Sequence, residues 1–140
     1  MVENVQGLIL ELKRLKDQPA DYMRPVVLVL AGEVRHRIHV EGKRPEGDPI
    51  GTYSNSYMRE RERNNRTDSR KMIYSLTRQM EQDFGPVADG NEFGLGFNNA
   101  WNLQKAMWQE EQRPGVYNLS PYEISLAETT INDYLNVLFG

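Results

Sequence analysis

The sequence predicts an α+β fold: helices at both ends packed on a small, mainly antiparallel sheet, with a long loop projecting at about 42–67. Three observations carry this reading. Apolar residues recur at three- and four-residue spacing near both ends. Two short β-rich segments flank an Asp-Gly turn. Between the helical start and these segments lies GKRPEGDPIGTYSNSYMRERERNNRTDSRK, residues 42–71, with Gly and Pro crowded into its first half. A structureless stretch of that length is uncommon inside a compact domain, which marks it as an arm used for contact. At 140 residues the chain is read as one domain, 1–140.

Val5, Leu8, Leu12 and Leu15 make an amphipathic helix over 3–17, closed by Asp17, Gln18 and Pro19. A second helix is expected over about 21–40. Asp21 is placed as its N-cap and Pro25 in the opening turn, and Val26, Val27, Leu30, Val34 and Ile38 form the stripe. The run VVLVLA alone also suits a buried strand, but the stripe continues at helical spacing to Ile38, and Gly42 supplies a stop. Beyond the arm, 68–76 reads as a short helix carrying Met72, Ile73 and Leu76. Strands follow within 79–88 and over 92–97, joined by Asp89, Gly90 and Asn91. Asn98 or Asn99 caps a helix to about 112 that carries Trp101, Lys105 and Trp108. Arg113, Pro114 and Gly115 break it, and Val116, Tyr117 and Leu119 suggest a short third strand. Ser120, Pro121 and Glu123 have capping-box form and start a last helix to about 138.

The net charge of −3 hides an asymmetry. Residues 35–78 hold eleven Lys or Arg against six Asp or Glu, a balance of +5. Residues 79–140 hold two against nine, a balance of −7. A basic middle and an acidic end suit either nucleic acid or head-to-tail contact between copies. There is no cysteine, which removes disulfide and thiol chemistry. No apolar run approaches the roughly 20 residues of a membrane span, and Met1, Val2 and Glu3 do not begin a signal peptide of the usual form.

No pattern points to catalysis. His36 and His39 share a helical spacing but lack the further ligands a structural zinc site needs. Neither a nucleophile elbow nor a Gly-Lys-Ser/Thr phosphate loop is present, and the adjacent Glu110 and Glu111 do not converge as an acid–base pair. No cofactor or metal is expected. The positive signal is the cluster Arg59, Arg61, Arg63, Arg66 and Arg70 with Tyr53 and Tyr57 beside it. These residue types serve protein interfaces and single-stranded nucleic acid alike. Glu60 and Glu62 dilute the charge and the chain as a whole is acidic, which favours an interface. Trp101 and Trp108 lie two turns apart on one side of their helix; Trp101 is expected in the core and Trp108 at an interface.

In this order the motifs resemble those of the virion-morphogenesis proteins of tailed phages, the Mu G-like proteins and related neck or tail-completion proteins. The segment GKRPEGDPIGTYSNSYMRER looks like the family's Gly/Pro/Asp-rich turn, followed by Tyr53, Ser54 and Tyr57 and a basic run. LTRQM at 76–80 is similar to the family's Leu-Thr-Gly segment, with Arg78 standing where that segment has Gly. The tight turn of that Gly is therefore left without its usual residue. GLGF at 94–97 and the Arg113-Pro114 lead-in to the last helix complete the match, over about three quarters of the chain. The resemblance implies a non-enzymatic virion component of the head–tail junction, assembled in the host cytoplasm. It implies a homo-oligomeric ring whose partners are a portal-side connector and a tail tube or tail terminator. A nucleic-acid-binding module, or non-specific contact with DNA, is the alternative that the arginine cluster leaves open.

Overall fold

The computed structural model describes residue 6 and residues 20–66, 70–74, 78–89 and 92–139. The expected helix over 3–17 and the Gly90–Asn91 turn lie outside the described residues. The observed order is helix α1 (Ala20–His36) running into a π-helical turn (Arg37–Glu41), then α2 (Asn55–Arg63) and α3 (Gln79–Asp83). Strands β1 (Phe84–Asp89) and β2 (Glu92–Phe97) follow, then α4 (Ala100–Gln112) and α5 (Pro121–Phe139). The class is α+β, with helices packed around one antiparallel hairpin.

Helix α1 buries Val26, Val27, Leu30 and Val34 of the expected stripe and the π-helical turn buries Ile38, and α1 packs along α5 and the hairpin. It already includes Ala20, so Asp21 is inside the helix rather than its cap. Gly42 ends the π-helical turn in the left-handed region at φ 64, and a methyl group there would collide with the Met72 carbonyl oxygen. In the hairpin, Phe84 faces Phe97 and Asp89 faces Glu92. The first expected strand is shorter than its 79–88 window, because Gln79–Asp83 forms α3 before the chain extends.

Over its described residues, 42–66, the expected 42–67 arm folds back onto the domain and does not project from it. Ile50 N–H donates to Gly42 O at 2.9 Å and Arg44 N–H to Asp48 O at 2.8 Å, which closes a compact loop. Residues 51–53 then pair with 70–72: Tyr53 N–H reaches Arg70 O at 2.8 Å and Met72 N–H reaches Gly51 O at 2.9 Å. This pairing also explains why 70–72 is not helical as the 68–76 reading expected; 68–69 and 75–76 lie outside the described residues. Within the segment Asn55–Arg63 is helical, with Ser54 Oγ accepting from Tyr57 N–H at 3.2 Å as N-cap. The central cluster joins Val34, Ile38, Ile50, Tyr53, Met72, Tyr74, Phe84 and Val116. Five of these eight lie outside every helix and strand, so the segments between elements supply most of that cluster. Val116 is one of them, buried in a turn and not in a third strand.

The capping box forms as the sequence predicts: Glu123 N–H donates to Ser120 Oγ at 3.1 Å, and Ser120 N–H to Glu123 Oε1 at 2.9 Å. Glu123 is also buried against Arg37, whose Nε donates to Glu123 Oε2 at 2.8 Å. Removing one member of such a pair leaves the other charge buried alone. Glu123→Ala is therefore expected to cost about 3–5 kcal/mol in chemical denaturation.

His39 is buried with its ring edge toward Phe84 and its Nδ1 3.2 Å from Ile73 O. Burial lowers its pKa below the ordinary 6.5, and the nearby Arg35 adds to this, against the raising effect of Glu81 and of the backbone at Ile73 and Tyr74. The unfolded chain then binds the proton first. Stability from this residue is fully present above pH 6.5 and declines as pH falls toward the lowered folded value. Unfolding measured from pH 7.5 down to 5.5 should show a loss that is smaller in His39→Gln.

Candidate interaction groove and exposed tryptophan face

The arginine cluster named by the sequence is divided by the fold. Arg61 is fully buried, with its guanidinium 4.5 Å from the centre of the Tyr53 ring. Its position follows from α2: Ser54 fixes the helix start, and Arg61 then falls one turn beyond Tyr57, on the side facing Tyr53. Arg70 donates through Nη2 to Tyr53 O at 3.0 Å. Arg63 is exposed and pairs with Glu60 at 2.8 Å, Arg59 is exposed, and Arg66 is partly buried. Tyr53 is itself core: its hydroxyl accepts from Ile73 N–H at 3.2 Å and from Tyr74 N–H at 3.1 Å. Of the two predicted tyrosines only Tyr57 stays half-open, its ring 4.8 Å from that of Tyr53 and its pKa raised by partial burial. The expectation that the whole cluster forms one contact surface is thus corrected: Arg61 and Tyr53 hold α2 to the core.

Both tryptophans are exposed, Trp101 at 56% and Trp108 at 45%, which corrects the expectation that Trp101 is buried. The cause is the start of α4. Asn99 caps it by accepting from Trp101 and Asn102 N–H at 2.9 and 3.3 Å. Asp83 then binds Asn99 N–H at 2.9 Å and the Asn102 side-chain amide at 3.1 Å. These bonds, the Asn102 one foremost, hold the Asp83 carboxyl below its ordinary pKa. They also turn Asn102 and Ala106 inward, so Trp101 and Trp108 are left on an outer flank, stacked edge to face at 5.4 Å. Leu103 and Met107 are exposed as well.

Between this helix, α3 and the 53–57 segment lies a groove of about 420 Å³. Tyr53, Tyr57 and Tyr74 line one part of it, and Arg78, Lys105 and Arg113 bring three cations, with no carboxylate among the lining residues. Arg78 sits in the left-handed region at φ 68, ψ 4, a conformation that a non-glycine residue adopts at a cost of roughly 1–2 kcal/mol. Lys105 lies 5.6 Å from the centre of the Trp101 ring. The carboxylate of nearby Glu110 is held by backbone N–H groups of Gly115 and Tyr117. Tyr74 is 7% exposed and its hydroxyl has no hydrogen-bond partner. Lys105 and Arg113 stand on and just past one helix, and nothing in their spacing marks a groove. Tyr74 gave no signal and Arg78 only as the residue standing where the resembled segment has Gly, because the placement of both depends on left-handed backbone at φ 50 and φ 68.

Among the described residues no three His, Asp or Glu converge as a metal site. His36 is exposed and 3.2 Å from Glu41, while His39 is buried, so the two histidines do not share a face. No described helix is long and apolar enough to cross a membrane. The chain matches no protein-family model, no curated protein and no solved structure.

Two sets of substitutions test this division. Arg59→Glu and Arg63→Glu should each move the unfolding free energy by no more than about 0.5 kcal/mol, whereas Arg61→Glu, which buries the wrong charge, should cost upwards of about 3 kcal/mol. Trp101→Ala and Trp108→Ala should each cost roughly 0.5–1.5 kcal/mol, the worth of an aromatic pair, well under the ~3–5 kcal/mol of a buried aromatic. Urea titrations of the purified variants read both.

Proposed function

We propose that this chain is a non-enzymatic structural component of a tailed-phage virion, a neck or tail-completion protein that joins the head connector to the tail. The observation that carries an assembly role is the stacked Trp101–Trp108 pair left in solvent beside Met107. Exposed apolar surface of this kind, next to a polar groove, is characteristic of a protein-contact site. The phage assignment rests on the ordered motifs from Gly42 to Leu135. The left-handed backbone at Arg78, where the resembled segment carries Gly, supports it, because the turn is kept although the residue is not.

In this reading the chain forms a homo-oligomeric ring at the head–tail junction. One side meets the portal-side connector and the other meets the tail tube or its terminator, after assembly in the host cytoplasm. The alternative, a nucleic-acid-binding module, needs free positive charge. Arg37 and Arg61 are buried, and Arg35, Arg44 and Arg70 donate to backbone carbonyls of Phe84, Pro114 and Tyr53. Five of the eleven cations of residues 35–78 are thereby engaged in contacts within the chain, which favours the assembly reading.

Disrupting the gene in the phage genome that encodes the chain should leave DNA-filled heads and separate tails, seen by electron microscopy, with joining restored by added wild-type protein. Joined, infectious particles from the disrupted genome would overturn the proposal. Wild-type protein should bind duplex DNA weakly at physiological salt; tight binding that falls steeply with salt would favour the alternative.

A further inference from the structure

We infer that the groove between Tyr74, Arg78 and Lys105 receives the exposed acidic face of α5 from a second copy of this chain. The inference rests on the assembly reading above and names the contact that would build it. On the groove side, Lys105 and Arg113 pair with no carboxylate among the described residues, and Arg78 reaches Glu81 only at 4.0 Å. Tyr74 lines the groove, and its hydroxyl, closed off from solvent, has no hydrogen-bond partner. A buried polar group without a partner carries a desolvation cost, which a side-chain shift that opens it to an incoming acceptor removes. Cations around such a donor select a carboxylate as that acceptor.

The chain carries a matching surface. Helix α5 contains Glu123, Glu128 and Asp133 and no Lys or Arg. Glu123 is consumed by Arg37, but Glu128 and Asp133 are exposed and meet no cation among the described residues. At 100° per residue they rim a sector that carries exposed Tyr122 in the first turn and Ser125, Thr129, Asn132 and Asn136 along the rest, polar side chains that allow close approach. Within one chain the two charge sets do not meet. Between copies they form a heterologous contact, groove to helix, which closes a ring when the rotation allows. A polyanion would also suit the three cations, yet it would face the −7 balance of residues 79–140; an acidic helix of modest charge suffers less repulsion.

The test is a charge swap read by sedimentation. One variant carries Arg78→Glu and Lys105→Glu, the other Glu128→Lys and Asp133→Lys. The wild type should self-associate with rising concentration, and each variant alone should associate at least tenfold more weakly, because like charges then face each other. An equimolar mixture should recover wild-type association, since every groove again meets a helix of opposite sign. Tyr74→Phe should weaken association about fivefold, the worth of a typical hydrogen bond, while leaving the monomer as stable or more so. Circular dichroism melts confirm folding. If a reversed pair fails to fold, Lys105→Gln and Glu128→Gln replace it.

Wild type that stays monomeric at its highest soluble concentration overturns the inference. So do variants that associate as wild type does. In that case the gene disruption still decides the phage reading independently, because it does not depend on which surfaces meet. Binding of single-stranded DNA by wild type, lost in the groove variant while sedimentation is unchanged, also overturns it and assigns the groove to nucleic acid.

Discussion

Arg37 is the tie on which the rest of this structure depends. Its Nε and Nη2 hold both oxygens of Glu123 at 2.8 and 3.2 Å. Its remaining donors reach Lys43 O and Val116 O, each at 3.0 Å, and Asn118 O at 2.8 Å. One side chain therefore joins the end of α1, the start of the 42–50 loop, the 115–118 turn and the first turn of α5. A planar guanidinium with five donors is the side chain able to do this, and a lysine could not. The charge is offset by a carboxylate that is itself fixed by the capping box, so neither partner is free to rotate away. Burial of such a pair adds little net stability over apolar packing, but it fixes geometry, because every other arrangement leaves a charge unsatisfied.

The same device recurs around the core. Arg44 donates to Pro114 O at 2.6 Å, Arg35 to Phe84 O, and Arg70 to Tyr53 O. Arg61 lies over Tyr53, and Arg113 packs against Gly51, which has no side chain to block it. A chain whose central cluster comes largely from irregular segments has many carbonyls without ladder partners, and each buried one must be satisfied. Long arginines reaching in from the surface do that work while keeping their stems against apolar neighbours. Five of the eleven Lys and Arg of residues 35–78 are in this sense architectural.

This division explains what was legible in the sequence. The α+β class, the stripe of α1, the Ser120–Glu123 box, the Asn99 cap and strand β2 all follow from local rules, and the structure realises them. The 42–67 segment was misread because its Gly and Pro residues say only that regular structure breaks. They do not say that Ile50 and Tyr53 will turn inward and zip onto 70–72. Arg61 was misread as part of a contact surface for a related reason: in a run of alternating Arg and Glu the three arginines look alike, and only the Tyr53 ring opposite makes one of them internal. The Trp101 error is more local. Spacing placed both tryptophans on one side of α4 correctly, but which side faces inward is set by Asp83 binding Asn102, a contact nineteen residues apart in sequence.

Helix α4 shows how the interior and the surface are connected. Only Asn102 and Ala106 of its thirteen residues are buried, so it is anchored mainly by polar contacts at its ends: Asn99 and Asp83 at the start, Glu110 to Gly115 and Tyr117 at the finish. An apolar face turned inward would have anchored it more simply. Instead its large side chains, Trp101, Leu103, Met107 and Trp108, remain outside, and Lys105 is offered to the groove. Hydrogen bonds at the ends fix the helix in place without consuming the residues best suited to bury area against a partner. A helix held this way presents a rigid surface, and a rigid surface loses less entropy when it is covered.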